Sequence, residues 1–225
     1  MKGYRICFIR HGMTEANADG RYIGITDLPL SSEGAQALYD KLEKYEYPPV
    51  QKVYTSPLKR CKQTVSILQP NRLTVELPEL VEMDFGDFEN KKIADIMDTD
   101  EYKKFIKGGL DNPPPGGESL RDVVTRCYKA LQMIISDMMY EGITNVAVVT
   151  HAGIIMNMLS CFGVPKRNPM DYSCDFGEGF EVMVTASMWQ RSEAFEVLGT
   201  YPAHEQVEQY SYTDTDEDEN EGMPS

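Results

Sequence analysis

The chain of 225 residues is poor in histidine, in basic residues and in long apolar runs. It contains three histidines, and 22 Lys and Arg against 36 Asp and Glu give a formal net charge of -14. Nucleic acids and anionic membranes attract basic surfaces, so this balance excludes both as the main partner. The apolar run in "MKGYRICFIRHG" is short and is interrupted by Arg5 and Arg10. It predicts neither a signal peptide nor a membrane span.

The cysteines are too few and too scattered to form a stabilising framework. Their number is odd, no C-x-x-C pair occurs, and no H-E-x-x-H motif accompanies them. We therefore expect no disulfide framework, no metal site and no cofactor. Unpaired cysteines fit a reducing compartment, so the sequence predicts a cytoplasmic protein.

Acidic residues are concentrated at the carboxyl terminus. Residues 204–225 contain eight Asp or Glu and no Lys or Arg. High charge with low hydrophobicity predicts a disordered tail, and an interaction tail is the alternative. Helical and strand periodicity fades after Pro202. The sequence therefore predicts one domain over residues 1–203, followed by the tail.

Strand-forming runs alternate with helical patterns along the domain. Three short runs are rich in strand formers, and a helical pattern follows each of them: "YRICFIR" (4–10), "KVYTS" (52–56) and "NVAVVT" (145–150). This alternation predicts an α/β fold of the three-layer type, in which helices flank a mainly parallel central sheet on both faces.

Three helices are predicted by their caps and their apolar spacing. The first begins at Ser31 or Ser32 and places Ala37, Leu38 and Leu42 on one side, and the second accepts Pro57 in its first turn. The third, "ESLRDVVTRCYKALQMIISDMMY", has a stripe at helical spacing that predicts core. Its members are Leu120, Val123, Val124, Cys127, Leu131, Ile134, Ile135 and Met138.

Between Leu80 and Gly117 the apolar pattern weakens. Short helices are possible at 89–97 and 100–107, and "GGLDNPPPGG" then breaks the chain. An excursion of this kind in an α/β domain is typical of a lid or a substrate-facing insertion. We therefore interpret residues 85–117 as a cap.

Basic and imidazole side chains follow the ends of the three predicted strands. Ligands of doubly wound sheets bind beyond these carboxyl ends. Taken singly, Arg10 and His11 could be a solvated strand end. Arg60 could be a helix-surface residue, and His151 could be a helix cap. Together they predict a cationic pocket, and the N–H groups of a helix that starts at Ala152 favour a phosphoryl group. The residues are Arg10 and His11, Ser56 and Arg60, and Thr150, His151 and Ala152.

Six motifs in one order make the pattern specific. They are "RHGMTEAN", "GRYIGITDLPLSSEGAQA", "YTSPLKRCKQT", "LVEMDFGDFE", "GGESL" and "VVTHAG". Their order and spacing over residues 4–200 resemble the histidine phosphatase superfamily, which includes the cofactor-dependent phosphoglycerate mutases and the α-ribazole phosphatases.

The resemblance implies a role for each matching residue. His11 matches the histidine that becomes phosphorylated, and Glu82 matches the proton donor. The rest of the phosphate pocket is matched by Arg10, Arg60 and His151. Thr14 and Asn17 match positions that touch the phosphate, and Ile23 and Gly24 match the substrate loop. Ala152 is our further candidate for substrate binding, through its backbone N–H.

Elementary chemistry agrees with these roles. A neutral imidazole attacks phosphorus near neutral pH, guanidinium groups match the charge on the equatorial oxygens, and a carboxylic acid protonates the leaving alkoxide. Glu79 and Asp84 are neighbours that could be mistaken for Glu82 on spacing alone.

Three functions remain open at this stage. A phosphatase acting on a small phosphorylated metabolite is favoured, a cofactor-dependent phosphoglycerate mutase is the alternative, and a non-catalytic phosphate-binding regulatory domain is a remote one. The related mutases hold a second anion with basic residues from a longer insertion, whereas residues 90–117 offer five lysines and no arginine. The sequence determines neither the physiological substrate nor the oligomeric state.

Overall fold

A seven-stranded sheet forms the centre of the computed structural model, which describes residues 2–203. The strands are β1 (Gly3–Arg10), β2 (Lys52–Thr55), β3 (Thr74–Glu76), β4 (Asn145–Thr150), β5 (Gly163–Val164), β6 (Gly179–Thr185) and β7 (Phe195–Tyr201). Their order across the sheet is β3-β2-β4-β1-β6-β7-β5. The three strands predicted from the sequence, β1, β2 and β4, are neighbours at its centre.

The sheet combines a parallel part with an antiparallel one. Strands β3, β2, β4 and β1 run parallel, whereas β6 pairs antiparallel with both β1 and β7. The predicted α/β class with a mainly parallel sheet is confirmed. The antiparallel strands β6 and β7 were not predicted. Antiparallel neighbours need no long crossover, so they do not show the strand–helix alternation on which the prediction depended.

Helices cover both faces of the sheet. They are α1 (Glu15–Ala18), α2 (Ser32–Lys44), α3 (Lys59–Leu68), α4 (Ile93–Ile96), α5 (Asp100–Lys107), α6 (Leu120–Glu141), α7 (Ala152–Phe162) and α8 (Ala186–Ser192). Successive side chains of a strand point to opposite faces. Ile6 and Phe8 of β1 accordingly lie in one apolar cluster with α6 and α7, and Cys7 and Ile9 lie in a second with α2 and α3.

Helix α6 supplies most of the helical core. Ser119 and Asp122 form a capping box at its start, and Gly142 ends it with a φ of 73°. Six members of the predicted stripe are buried, as is Ala130: Val123, Cys127, Leu131, Ile134, Ile135 and Met138. Leu120 and Val124 are half-buried, because they lie in the first turn and a half, at the edge of the core.

Two details of the predicted helices differ from the structure. Ser31 caps α2 as expected, but only Leu38 of its three predicted apolar positions is buried, and Leu42 is 36% exposed. Helix α3 begins at Lys59 with Leu58 at the cap. Pro57 therefore precedes the helix instead of occupying its first turn.

The predicted cap, residues 85–117, contains little regular structure. Helix α4 covers only four residues of the predicted 89–97, whereas α5 coincides with the predicted 100–107. The prediction of a disordered tail at 204–225 lies outside the described residues, and the domain boundary at 203 stays a prediction. Within residues 2–203, every helix is too short or too polar to traverse a bilayer.

Candidate active site

The carboxyl ends of β1, β4 and β2 bring the predicted residues together. The N–H of His11 donates to the carbonyl of Thr150 (2.9 Å), and the N–H of Ser56 donates to the carbonyl of Val149 (3.0 Å). These bonds extend the parallel ladders by one residue beyond the strands. As a result, the ring centroids of His11 and His151 lie 5.1 Å apart.

His11 is a buried, neutral imidazole in a defined tautomer. Its Nδ1 lies 2.6 Å from the carbonyl oxygen of Gly12. Since a carbonyl only accepts, Nδ1 carries the proton and Nε2 keeps its lone pair. Burial, together with the positive charges of Arg60 and Arg10, lowers the pKa of His11 to about 3. Near neutral pH the ring is therefore uncharged, with its lone pair on Nε2.

His151 is held from both of its ring nitrogens. Its Nε2 lies 2.9 Å from the hydroxyl of Ser56, and Nε of Arg60 donates to its Nδ1 (3.3 Å). Burial, followed by the electrostatic effect of the neighbouring His11 and Arg60, holds the pKa of His151 well below its usual value. His151 is the N-cap residue of α7, as the helix-cap alternative expects, but its side chain makes no capping hydrogen bond. The imidazole instead faces Ser56 and Arg60.

Arg60 is a fully buried member of the pocket and not a helix-surface residue. One terminal nitrogen donates to the carbonyl of Thr26 (2.8 Å) and the other to that of Gly24 (2.7 Å). With the bond to His151, three of the five guanidinium N–H donors have protein partners. Two donors are left, which suits a phosphoryl group.

Arg10 lies over an aromatic ring that the sequence did not identify as part of the site. Its guanidinium carbon is 3.8 Å from the ring centroid of Phe176, and Nη1 donates to the carbonyl of Cys174 (2.7 Å). Its Nε is buried and finds no hydrogen-bond partner among the described residues. A buried unpaired donor is costly, and an anionic oxygen would satisfy it.

The predicted substrate loop is clasped between two charged side chains. The carboxylate of Glu89 accepts from the N–H groups of Gly24 (3.0 Å), Ile25 (3.1 Å) and Thr26 (3.3 Å). Arg60 binds the carbonyls of the same loop from its other side. A Cβ on Gly24 would lie 1.8 Å from the carbonyl oxygen of Met83, so only glycine fits there. The sequence reasoning missed Glu89, since its contacts are about 65 residues away.

The side chain of Glu82 is buried against the first turn of α7. Its Oε2 accepts from the N–H of Gly153 (3.0 Å), and its Oε1 accepts from the N–H of Met83 (2.9 Å). Burial raises the pKa of Glu82 above its ordinary value, although these two bonds and Arg60 oppose the shift. A raised pKa favours the protonated acid, the form that can donate to a leaving group.

The remaining predicted residues adjoin the pocket through backbone elements. Thr14 and Asn17 form a capping box at the start of α1. The Thr14 hydroxyl donates to Oδ1 of Asn17 (2.9 Å) and accepts from the backbone N–H of Asn17 (3.2 Å). Ile23 is buried beside Gly24. Ala152 begins α7, so its N–H lies in a first turn that lacks intrahelical acceptors. Their roles in binding stay predictions.

Two of the clefts on the described surface bear on where a ligand could lie. One of about 380 Å³ adjoins Glu82, and a larger one of about 810 Å³ surrounds Arg5, at the opposite end of β1, and is lined by none of the predicted site residues. Of the predicted site residues, Glu82 lines the smaller cleft, whereas His11, Arg60 and His151 line neither. Within residues 2–203, no three His, Cys, Asp or Glu side chains are grouped as metal ligands.

Comparison with protein families agrees with this geometry. The model of the histidine phosphatase superfamily (branch 1) matches residues 6–186 and spans all of the predicted site residues. The chain belongs to the histidine phosphatase superfamily. Among curated members, adenosylcobalamin/alpha-ribazole phosphatase of Escherichia coli strain K12 is 30% identical over 181 residues, covering 77% of this chain and 86% of the relative.

Other histidine phosphatase relatives have mutase names. Phosphoglycerate mutase-like protein 4 of Arabidopsis thaliana is 32% identical over 162 residues, which is 68% of each chain. Among solved structures, the alpha-ribazole phosphatase of Shigella flexneri superposes with a TM-score of 0.71 at 23% identity, covering 87% of this chain and 95% of the other. At that identity the superposition establishes the fold, and it supports the phosphoglycerate mutase-like architecture.

Proposed function

We propose that this histidine phosphatase hydrolyses a small phosphomonoester through a phosphohistidine on His11. The observation that carries the proposal is the neutral, buried His11, whose Nδ1–H is held by Gly12 so that the lone pair is on Nε2. Arg10 and Arg60 adjoin it with unused donors. Nucleophile and oxyanion donors therefore occupy one pocket.

The first half-reaction transfers the phosphoryl group to the enzyme. Nε2 of His11 forms a bond to phosphorus while the bond from phosphorus to the ester oxygen breaks. Arg10, Arg60 and the first N–H groups of α7 hold the equatorial oxygens, which carry the charge. Glu82 gives its proton to the departing oxygen, so the alcohol leaves neutral.

The second half-reaction returns the enzyme to its starting state. The ionised carboxylate of Glu82 takes a proton from water, and the resulting hydroxide attacks the phosphorus of phospho-His11. The bond from phosphorus to nitrogen breaks and inorganic phosphate departs. Atoms and charges balance without an added cation, so we propose that the reaction is metal-independent.

The alternative is a cofactor-dependent phosphoglycerate mutase. It is favoured by the relatives whose names are phosphoglycerate mutases, among them a probable enzyme of Salmonella typhi that is 29% identical over 132 residues. A mutase must keep a doubly anionic intermediate away from water. The regulatory alternative is disfavoured, since every group that the chemistry needs is present.

The direct test measures phosphate release and enzyme phosphorylation together. In the presence of EDTA, the wild type should release phosphate from phosphomonoesters whose alcohol portion is uncharged. It should also form an acid-labile phosphoenzyme. His11→Ala should lose both activities, whereas His204→Ala, a substitution of the third histidine in the sequence, should keep them. Interconversion of 3-phosphoglycerate and 2-phosphoglycerate that outruns phosphate release would establish the mutase instead.

A further inference from the structure

The cleft beside Glu82 is where the alcohol portion of a substrate would lie. Glu82 would protonate the leaving oxygen, and that oxygen joins the phosphoryl group to the rest of the substrate. Because Glu82 lines this cleft, we infer that the cleft receives the leaving portion. Its lining residues are Ile25, Val81, Glu82, Asp84, Gly116, Gly117, Glu118 and Arg126.

The one basic residue of this lining is already paired. Nε and Nη2 of Arg126 donate to the two carboxylate oxygens of Glu118, at 2.7 and 2.9 Å. Nη1 donates to the carbonyls of Glu79 and Val81. A bidentate ion pair of this kind neutralises the guanidinium charge and uses its planar face of donors. Arg126 is consequently poorly placed to receive an anionic group from a ligand.

Asp84 adds a negative charge that no cation in the described structure balances. Its Oδ1 accepts from the N–H of Gly86 (2.8 Å), and no basic side chain of residues 2–203 forms an ion pair with it. It is half-buried, so its charge is only partly screened by solvent. A second anion in the cleft would meet this charge without a compensating partner.

We propose that the cleft selects phosphomonoesters whose alcohol portion is neutral or cationic, and that Asp84 is the specificity-determining residue. The selection acts against esters with a carboxylate or second phosphate near the leaving oxygen. This inference rests on the proposed phosphatase function and adds the substrate class. It also separates the enzyme from a phosphoglycerate mutase, whose substrate carries a carboxylate.

The test uses three phosphate esters that differ only at one end. They are 3-hydroxypropyl phosphate, 3-aminopropyl phosphate and 3-phosphooxypropanoate, which are neutral, cationic and anionic beyond the phosphate. Chain length and leaving oxygen are matched, so kcat/KM compares the charge of the alcohol portion. The neutral and cationic esters should exceed the anionic one by roughly tenfold or more. Added salt should narrow that ratio.

The variant Asp84→Asn tests whether Asp84 causes the preference for the neutral over the anionic ester. The amide keeps the shape and an acceptor for Gly86 N–H but removes the charge, so the preference for the neutral over the anionic ester should shrink several-fold. The ratio of kcat/KM for the neutral and anionic esters is the readout, whatever the absolute rate of the variant. Asp95→Asn is the matched control, because Asp95 is exposed and does not line the cleft. It should leave the ratio unchanged.

The outcomes distinguish this inference from the function on which it rests. Failure to hydrolyse all three esters, with no phosphoenzyme, would overturn the phosphatase function. Hydrolysis in which the anionic ester equals or exceeds the neutral one would leave the phosphatase standing and overturn the selectivity. An equal change of the ratio in both variants would assign it to overall charge and refute the role of Asp84. Should Asp84→Asn fail to fold, the wild-type series and its salt dependence still decide the selectivity.

Discussion

The phosphate pocket and the cap are built by different means. His11 and His151 directly follow central strands, and Arg60 lies in the first turn of the helix after β2; all three side chains are buried and hydrogen-bonded to carbonyls or side chains. The predicted cap at 85–117 consists of turns, a 3-10 helix at Gly86–Phe88 and the short helices α4 and α5, and α5 buries none of its residues. The comparison teaches that the groups predicted to transfer the phosphoryl group are held in the buried core, whereas the segment predicted to face the rest of the substrate contains an exposed helix.

The largest expected difference between the two regions is in stability. Ile134 in α6 is fully buried, whereas Ile106 in α5 is 59% exposed. Ile134→Ala should lower the free energy of unfolding by about 2–5 kcal/mol, because it leaves a cavity in the core. Ile106→Ala should lower it by less than about 0.5 kcal/mol. Denaturant titrations of both variants measure this, and equal losses would show that the cap is packed like the body.

The next prediction tests the chemistry at the boundary between the regions. Glu82→Gln keeps the shape of the side chain but cannot donate a proton, so turnover of alkyl phosphates should fall by roughly 100-fold or more. The loss should be smaller for p-nitrophenyl phosphate, whose leaving group needs little protonation. Glu79→Gln, three residues earlier, is the control. Equal losses on both substrates would assign the acid to another residue.

The raised pKa of Glu82 also predicts how the protein responds to pH. Consider a carboxyl group whose pKa is higher in the folded state than in the unfolded state. Its contribution to the stability of the fold is fully present at pH values below the unfolded-state pKa. That contribution is lost as the pH rises through the folded-state pKa. Alkyl phosphate turnover should decline over the same rise, because the acid form disappears. Glu82→Gln should therefore gain in Tm relative to the wild type as the pH is raised, and a constant difference would argue against a raised pKa.

A smaller effect is expected where the cap touches the pocket. Glu89→Gln weakens the clasp on Gly24 and Thr26, whose carbonyls position Arg60. We expect kcat/KM to fall roughly tenfold, because a small displacement of a positioning group is costly to catalysis. Asp95→Asn is again the matched control. In an Arg60→Ala background the added loss should shrink, and full additivity would show that Glu89 does not act through Arg60.

The local pattern of the sequence determined the scaffold and the identity of its chemical groups. Alternating strand and helix signals predicted β1, β2, β4 and α6, because apolar periodicity is set by neighbours along the chain. The positions of His11 and Arg60 after strand ends predicted that they would meet, since parallel strands share one carboxyl edge. The motifs then predicted the family, which the comparison confirmed.

Only the tertiary structure decided how each group is held. The tautomer of His11 depends on a carbonyl, the donors left on Arg60 depend on a loop more than thirty residues away, and Arg10 binds a carbonyl 164 residues away. The clasp formed by Glu89 and the pairing of Arg126 with Glu118 likewise join separate segments. A spacing rule reaches only a few residues along one element, whereas these contacts arise from the packing of several elements and so cannot be read from periodicity.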